Sequence, residues 1–145
     1  MQANIQIVEV TWQQAEHALR AIRTPVFIEE QAVAPDFEWD EMDHNAVHLL
    51  ASVDKQAVAC LRIINYHKIG RMAVLKNWRK KGLGAALLLE AVNICKQHGS
   101  KTVHLSAQTH AIKFYEKCGF KVASEVYQDV HIAHVDMQLD LNNYG

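Results

Sequence analysis

Two glycines, Gly82 and Gly84, stand where a strand ending at Leu75 gives way to a broad apolar helical stripe beginning at Leu83. This junction constrains the fold more than any other part of the chain. A strand that passes straight into a helix sets the local chain direction, and glycine on such a turn lets backbone come close to a ligand. The first turn of the helix offers N–H groups that have no intrahelical partner, at the positive end of the helix dipole. An anion belongs there. Arg79, Lys80 and Lys81 occupy the same turn, and their charge suits a diphosphate.

The flanking patterns supply the rest of the architecture. Ile5 to Val10 alternates as a strand, and Thr11 with Gln14 forms a capping box before a helix that carries Ala15, Ala18, Leu19, Ile22 and Val26 on one face. Pro25 requires a kink or break near that helix end, leaving Phe27 to Asp43 as a helix end and an acidic loop long enough to be functional. Ala46 to Val53 and Ala57 to Ile64 read as a hairpin turning at Asp54-Lys55-Gln56, and Lys68 to Leu75 as a third strand. The helix from Leu83 to Lys96 ends at His98-Gly99. Thr102 to Ala107 is a strand, and Ala111, Phe114, Tyr115 and Cys118 mark a short helix stopped by Gly119. Lys121 to Tyr127 and Ile132 to Leu141 close the chain as two strands. The expected class is α/β (α+β), a mixed sheet flanked by helices in the order β-α-β-β-β-α-β-α-β-β.

With 145 residues, half of them apolar, the chain is expected to form one domain over 1–145 with a sizeable core. A formal net charge of −1 gives no electrostatic case for nucleic acid or an anionic membrane. There is no apolar run of transmembrane length and no secretory start, so a cytoplasmic location is expected. Cys60, Cys95 and Cys118 lie in apolar segments without a C-x-x-C pair and read as buried thiols. Charge is segregated along the sequence: seven of the sixteen acidic residues lie between Glu29 and Asp43, and six of the fifteen basic ones between Lys68 and Lys81. One half of a site would then be anionic and the other cationic.

Other phosphate-binding patterns do not fit. No G-x-x-x-x-G-K-[ST] string is present, and Leu87 stands where a dinucleotide fingerprint needs its third glycine. By contrast, Arg79-x-x-Gly82-x-Gly84, preceded by Met72-Ala73-Val74 and followed by Phe114-Tyr115-Glu116-Lys117-Cys118-Gly119-Phe120, resembles the GNAT superfamily of N-acetyltransferases. Val26-Phe27-x-x-Glu30-Gln31 and Glu38-x-Asp40-x-x-Asp43 are further similar to its bacterial ElaA-like or YjcF-like branch. The resemblance implies that acetyl-CoA is the cosubstrate, its pyrophosphate held by Arg79 and the amides of Lys80, Lys81, Gly82, Leu83, Gly84 and Ala85. Its pantetheine arm would pair with Met72, Ala73 and Val74, whose main chain would polarise the thioester carbonyl. Gln108 takes the place of an Asn that contacts the cofactor in relatives.

Acyl transfer to an amine requires a deprotonated amine, a polarised carbonyl and a proton for the departing thiolate. The resemblance points to Tyr115 as the acid; core packing beside Phe114 is the structural alternative. The base does not carry over, because Lys68 stands where some relatives have Glu. Glu30, Glu38, Asp40, Asp43, His44 and His104 are open candidates, with Glu30 and Glu38 the first choices for substrate contact; a solvated rim is the plainer reading of the acidic run. His44 with His48 and His131 with His134 have weak metal spacing, and acyl transfer from CoA needs no metal. The expected partners are therefore acetyl-CoA and an amine acceptor. A non-catalytic CoA-binding sensor or interaction module is the alternative, and the acceptor, the size of the acyl group and the oligomeric state, a homodimer included, stay open.

Overall fold

A computed structural model describes residues 4–143. Its strands are β1 (Ile5–Val10), β2 (Val47–Val53), β3 (Gln56–Ile64), β4 (Lys68–Val74), β5 (Thr102–Gln108), β6 (Lys121–Val122), β7 (Tyr127–Asp129) and β8 (Ile132–Asp140). They form one sheet in the order β1-β2-β3-β4-β5-β8-β6, with β7 also on β8. The pairings are antiparallel except that of β4 with β5. The helices are α1 (Trp12–Arg23), α2 (Pro35–Glu38), α3 (Leu83–Gln97) and α4 (Ile112–Lys117). None among the described residues is long and apolar enough to cross a membrane.

The continuous apolar run of β3 follows from burial on both faces. Ala59, Leu61 and Ile63 join Leu83, Leu87, Leu88 and Ala91 of α3 in one cluster, while Cys60 packs in another with Trp12, Leu19 and Ile22 of α1. The hairpin between β2 and β3 turns through Asp54 and Lys55, both at positive φ (49° and 73°) as a twisted two-residue turn requires. The capping box closes as expected: Gln14 N–H donates to Thr11 Oγ1 at 3.1 Å, and Thr11 N–H to Gln14 Oε1 at 3.0 Å.

Three segments differ from the sequence reading. α1 ends at Arg23, just before Pro25 as expected, but the chain continues from Thr24 to Glu30 as a π-helix, with Pro25 in its first turn where no N–H is needed. The expected strand from Lys121 to Tyr127 is divided into β6 and β7. Between them Ser124 Oγ accepts the Asp136 N–H at 2.8 Å, so a side chain replaces the backbone acceptor and the strand bends away. The acidic loop also carries α2 and a 3-10 turn at Glu41–His44, and only part of it is a solvated rim: Asp36 and Glu41 are exposed, whereas Glu38 and Asp43 are buried and Asp40 is half-buried.

Those carboxylates meet arginines brought from elsewhere in the chain. Arg23 Nε donates to Glu38 Oε2 at 2.7 Å and its Nη1 to Asp43 Oδ1 at 2.8 Å. Arg62 Nη1 bridges Asp40 Oδ1 at 2.7 Å and Asp43 Oδ1 at 3.1 Å. Arg71 Nη2 reaches Asp40 Oδ2 at 3.2 Å and the carbonyls of Phe37 and Glu38 at 3.2 and 3.3 Å. Burial pushes the Asp43 carboxyl upward, but Arg23 and Arg62 outweigh it and hold the group below the usual carboxylate range. The cluster fastens the loop to β3 and β4.

His48 adds a pH-sensitive element. It is buried, its Nε2 donates to the Asp43 carbonyl at 2.9 Å, and burial holds its imidazole below the ordinary value of 6.5. Because the folded value lies below the unfolded one, this contribution to stability is complete above about pH 6.5 and is lost as pH falls through the folded value. Tm should therefore begin to fall near pH 6.5, and His48→Gln should flatten that first decline. An equal decline in both proteins would remove His48 from the account.

Candidate active site

β4 and β5 are paired only at Lys68 with His104 and Ile69 with Leu105. Immediately beyond, the register of β4 against β3 shifts between Cys60 and Arg62, and Arg71 takes a φ of 50°. A bulge of this kind bends a strand. The two strands part, and a cleft of about 920 Å³ opens between them, lined by β4, the start of α3, the end of β5, α4 and the π-helix.

The start of α3 forms one end of the cleft. The first helix-closing bond runs from Ala86 N–H to the Gly82 carbonyl at 3.0 Å, and Gly82 has no capping side chain. Among the described residues the amides of Lys80, Lys81, Gly82, Leu83, Gly84 and Ala85 have no protein acceptor. Lys80 and Gly82 have φ of 63° and 83°. Left-handed residues interspersed in such a turn gather successive N–H groups into a concave anion site. Any residue but glycine would strain position 82. Gly84 has ordinary helical φ, and a Cβ there would meet Phe114 Cζ at 3.5 Å, an ordinary contact, so packing of α3 on α4 does not itself require glycine.

Arg79 lies on this turn and lines the cleft, with its guanidinium engaged by protein. It grips Glu30 with two bonds, at 2.9 and 2.8 Å, and its Nε donates to the Val74 carbonyl at 2.9 Å. Glu30, expected to meet substrate, thus clamps the π-helix to the glycine turn, and one of the main-chain acceptors expected for pantetheine is engaged by protein. Met72, Ala73 and Val74 do line the cleft. Glu38 also reaches the cleft, yet it is only 2% exposed and ion-paired to Arg23 and Arg71. A carboxylate so held is an anchor for the loop more than a free base. Asp40 and Asp43 are engaged in the same cluster, and His104 bonds Thr102 Oγ1 at 3.1 Å.

Tyr115 faces the cleft from α4, its ring edge-on to Phe114 and Phe120. Burial, with a smaller contribution from Cys118, pushes its phenol up to about 12, so it stays protonated at neutral pH. No hydrogen bond to its hydroxyl is found among the described residues. Gln108 does not extend freely toward a cofactor; its Nε2 donates to Gln31 Oε1 at 2.8 Å, joining β5 to the end of the π-helix.

The histidines of the second spaced pair make separate backbone contacts. His131 Nε2 donates to the Gln31 carbonyl at 3.0 Å, whereas His134 Nδ1 bonds the Ile132 carbonyl at 2.8 Å. His134, with Ser106 and Gln31, was missed as a cleft residue. The available signal was strand alternation: Gln108 pairs with His134 and Ser106 with Asp136, so these polar residues share one face of β5 and β8.

Comparison with known proteins decides the family. The model of the acetyltransferase (GNAT) domain matches residues 12–141. The chain is a GNAT acetyltransferase. This enzyme is 32% identical to the uncharacterized N-acetyltransferase YjcF of Bacillus subtilis over 82% of its length and 88% of that protein's. To ElaA of Escherichia coli it is 30% identical, over 88% and 95% of the two chains. The crystal structure of Escherichia coli ElaA superposes with a TM-score of 0.80 at 27% identity, covering 96% and 100%. That of an acyl-CoA N-acyltransferase from Pseudomonas aeruginosa gives 0.79 at 29%, covering 95% and 99%. The enzyme thus belongs with the ElaA-like and YjcF-like acyltransferases, and acyl-CoA-dependent N-acyl transfer is its reaction class.

Proposed function

We propose that this enzyme transfers an acetyl group from acetyl-CoA directly to a primary amine. The observation that carries the reading is the row of unpaired amides from Lys80 to Ala85 at the mouth of α3, opening on the cleft between β4 and β5. Those amides suit two linked phosphates, with Lys80 and Lys81 adding charge. An extended thioester arm would run along Met72 and Ala73, on the part of β4 that β5 does not pair. Its carbonyl oxygen would receive main-chain N–H bonds there, which stabilise the negative charge that develops as the amine attacks. Tyr115 would then give its proton to the departing sulfur. Glu30 and Glu38 serve in this reading by holding the π-helix and the α2 loop against the cleft.

Thermal unfolding with acetyl-CoA, NADH and ATP tests the cosubstrate. Acetyl-CoA at 100 times its dissociation constant should stabilise the fold by about 2.7 kcal/mol, provided it binds only the folded state. Equal or absent shifts with all three would defeat the assignment. Thiol release across a panel of primary amines then tests transfer: stabilisation without release from any amine would make the protein a CoA-binding module.

A further inference from the structure

We infer that His134 is the general base that deprotonates the acceptor amine, an assignment that rests on the amine-transfer reading above. His134 is 9% exposed, yet it lines the cleft that also holds Tyr115 and the phosphate turn. Its Nδ1 lies 2.8 Å from the Ile132 carbonyl. A carbonyl oxygen only accepts, so Nδ1 carries the proton and the neutral ring keeps its lone pair on Nε2. Among the described residues no hydrogen bond reaches Nε2. The ring is thus fixed in the tautomer a base requires, with the basic nitrogen unengaged.

Its surroundings hold the ring in place. Tyr127 is its cross-strand partner on β7 and stacks on it at 6.1 Å between ring centroids. The Tyr127 hydroxyl donates to Asp136 Oδ1 at 2.6 Å and receives Ser106 Oγ. Gln108, opposite on β5, is itself tied to Gln31. The groups facing the imidazole are therefore Tyr127 on β7, Gln108 and Ser106 on β5, and Asp136 two residues along β8, with Asp129 and His131 at the nearby turn. The carboxylates the sequence suggested as bases bind arginines; His134 does not.

The step balances simply. An acceptor ammonium gives one proton to Nε2, leaving a neutral amine and an imidazolium. The amine lone pair bonds to the thioester carbonyl carbon, the C–S bond breaks, and its electron pair leaves on sulfur. The sulfur takes a proton from Tyr115, the new amide nitrogen loses its second proton to restore the phenol, and the imidazolium releases its proton to water.

Two measurements test the assignment. Imidazole 15N NMR of the wild-type protein at pH 8 should show His134 protonated on Nδ1 with Nε2 bare; the opposite tautomer overturns the proposal whether or not any amine is acetylated. His134→Asn keeps a donor for the Ile132 carbonyl but has no base. Assayed with the alkylamine that releases thiol fastest, it should lower kcat/KM by about 10²–10⁴-fold at pH 7. The deficit should shrink as pH rises and more of the amine is already neutral, while the thermal shift with acetyl-CoA stays as in wild type. A loss below about tenfold, or one constant across pH, sinks the base role. Failure of acetyl-CoA to stabilise the wild-type protein would instead sink the reading on which it rests.

Discussion

Tyr115→Phe should lower kcat by about 10²–10⁴-fold, the usual contribution of a positioned general acid. The hydroxyl is the only group removed, and phenylalanine keeps the edge-on packing against Phe114 and Phe120, so the fold and the cleft should persist. Burial pushes the Tyr115 phenol up to about 12, further above neutral than its ordinary value. In the acid role proposed above it would carry its proton throughout the neutral range. Since the proton moves only as the C–S bond breaks, the loss should appear in kcat, with the affinity for acetyl-CoA changed by less than about threefold. Steady-state kinetics together with the acetyl-CoA thermal shift separate the two effects. A variant with wild-type turnover would reduce Tyr115 to a core aromatic.

Arg23→Met should be the most damaging single substitution for stability, by about 3–5 kcal/mol. Arg23 is 1% exposed, and its guanidinium satisfies Glu38 through Nε, the Glu38 carbonyl through Nη2 at 3.0 Å, and Asp43 through Nη1 and Nη2. Its side chain also lies over the Trp39 and Trp12 rings, at 4.8 and 5.7 Å to their centroids. Methionine replaces the packing but leaves two buried carboxylates short of a cation, and it is this unpaired charge that costs most. The expected readout is a lower denaturant midpoint at unchanged slope. The α2 loop should loosen as well, because Glu38 and Asp43 lose their anchor. A change below about 1 kcal/mol would show that Arg62 and Arg71 can neutralise the cluster alone.

The expected course of the α1–β2 segment and its outcome show where sequence patterns lose their power. Asp36 to Asp40 alternates and the run to Asp43 is acidic, which suits a solvated rim as well as a buried anchor. The deciding partners lie on α1, β3 and β4, between 15 and 34 residues away. The hint available in advance was an arginine, Arg62, inside an otherwise apolar strand. Glu30 and Arg79, 49 residues apart, were each read as facing a ligand, and the fold brings them to each other. The same folding joins Gln31 to Gln108 across 77 residues and places His134 in the cleft.

Secondary-structure elements and the glycine turn before α3 were legible in the sequence, because these depend on interactions within a few residues. Helical and strand periodicity, the Thr11 capping box and the Gly82 left-handed turn are all local. Phe114 and Tyr115, in the motif that carries the family resemblance, line the cleft. The tertiary structure alone decided which charges neutralise one another and which polar groups remain unengaged at the cleft. A side chain's role there depends on partners that chain distance hides, and a buried charge or lone pair acquires its chemistry from those partners.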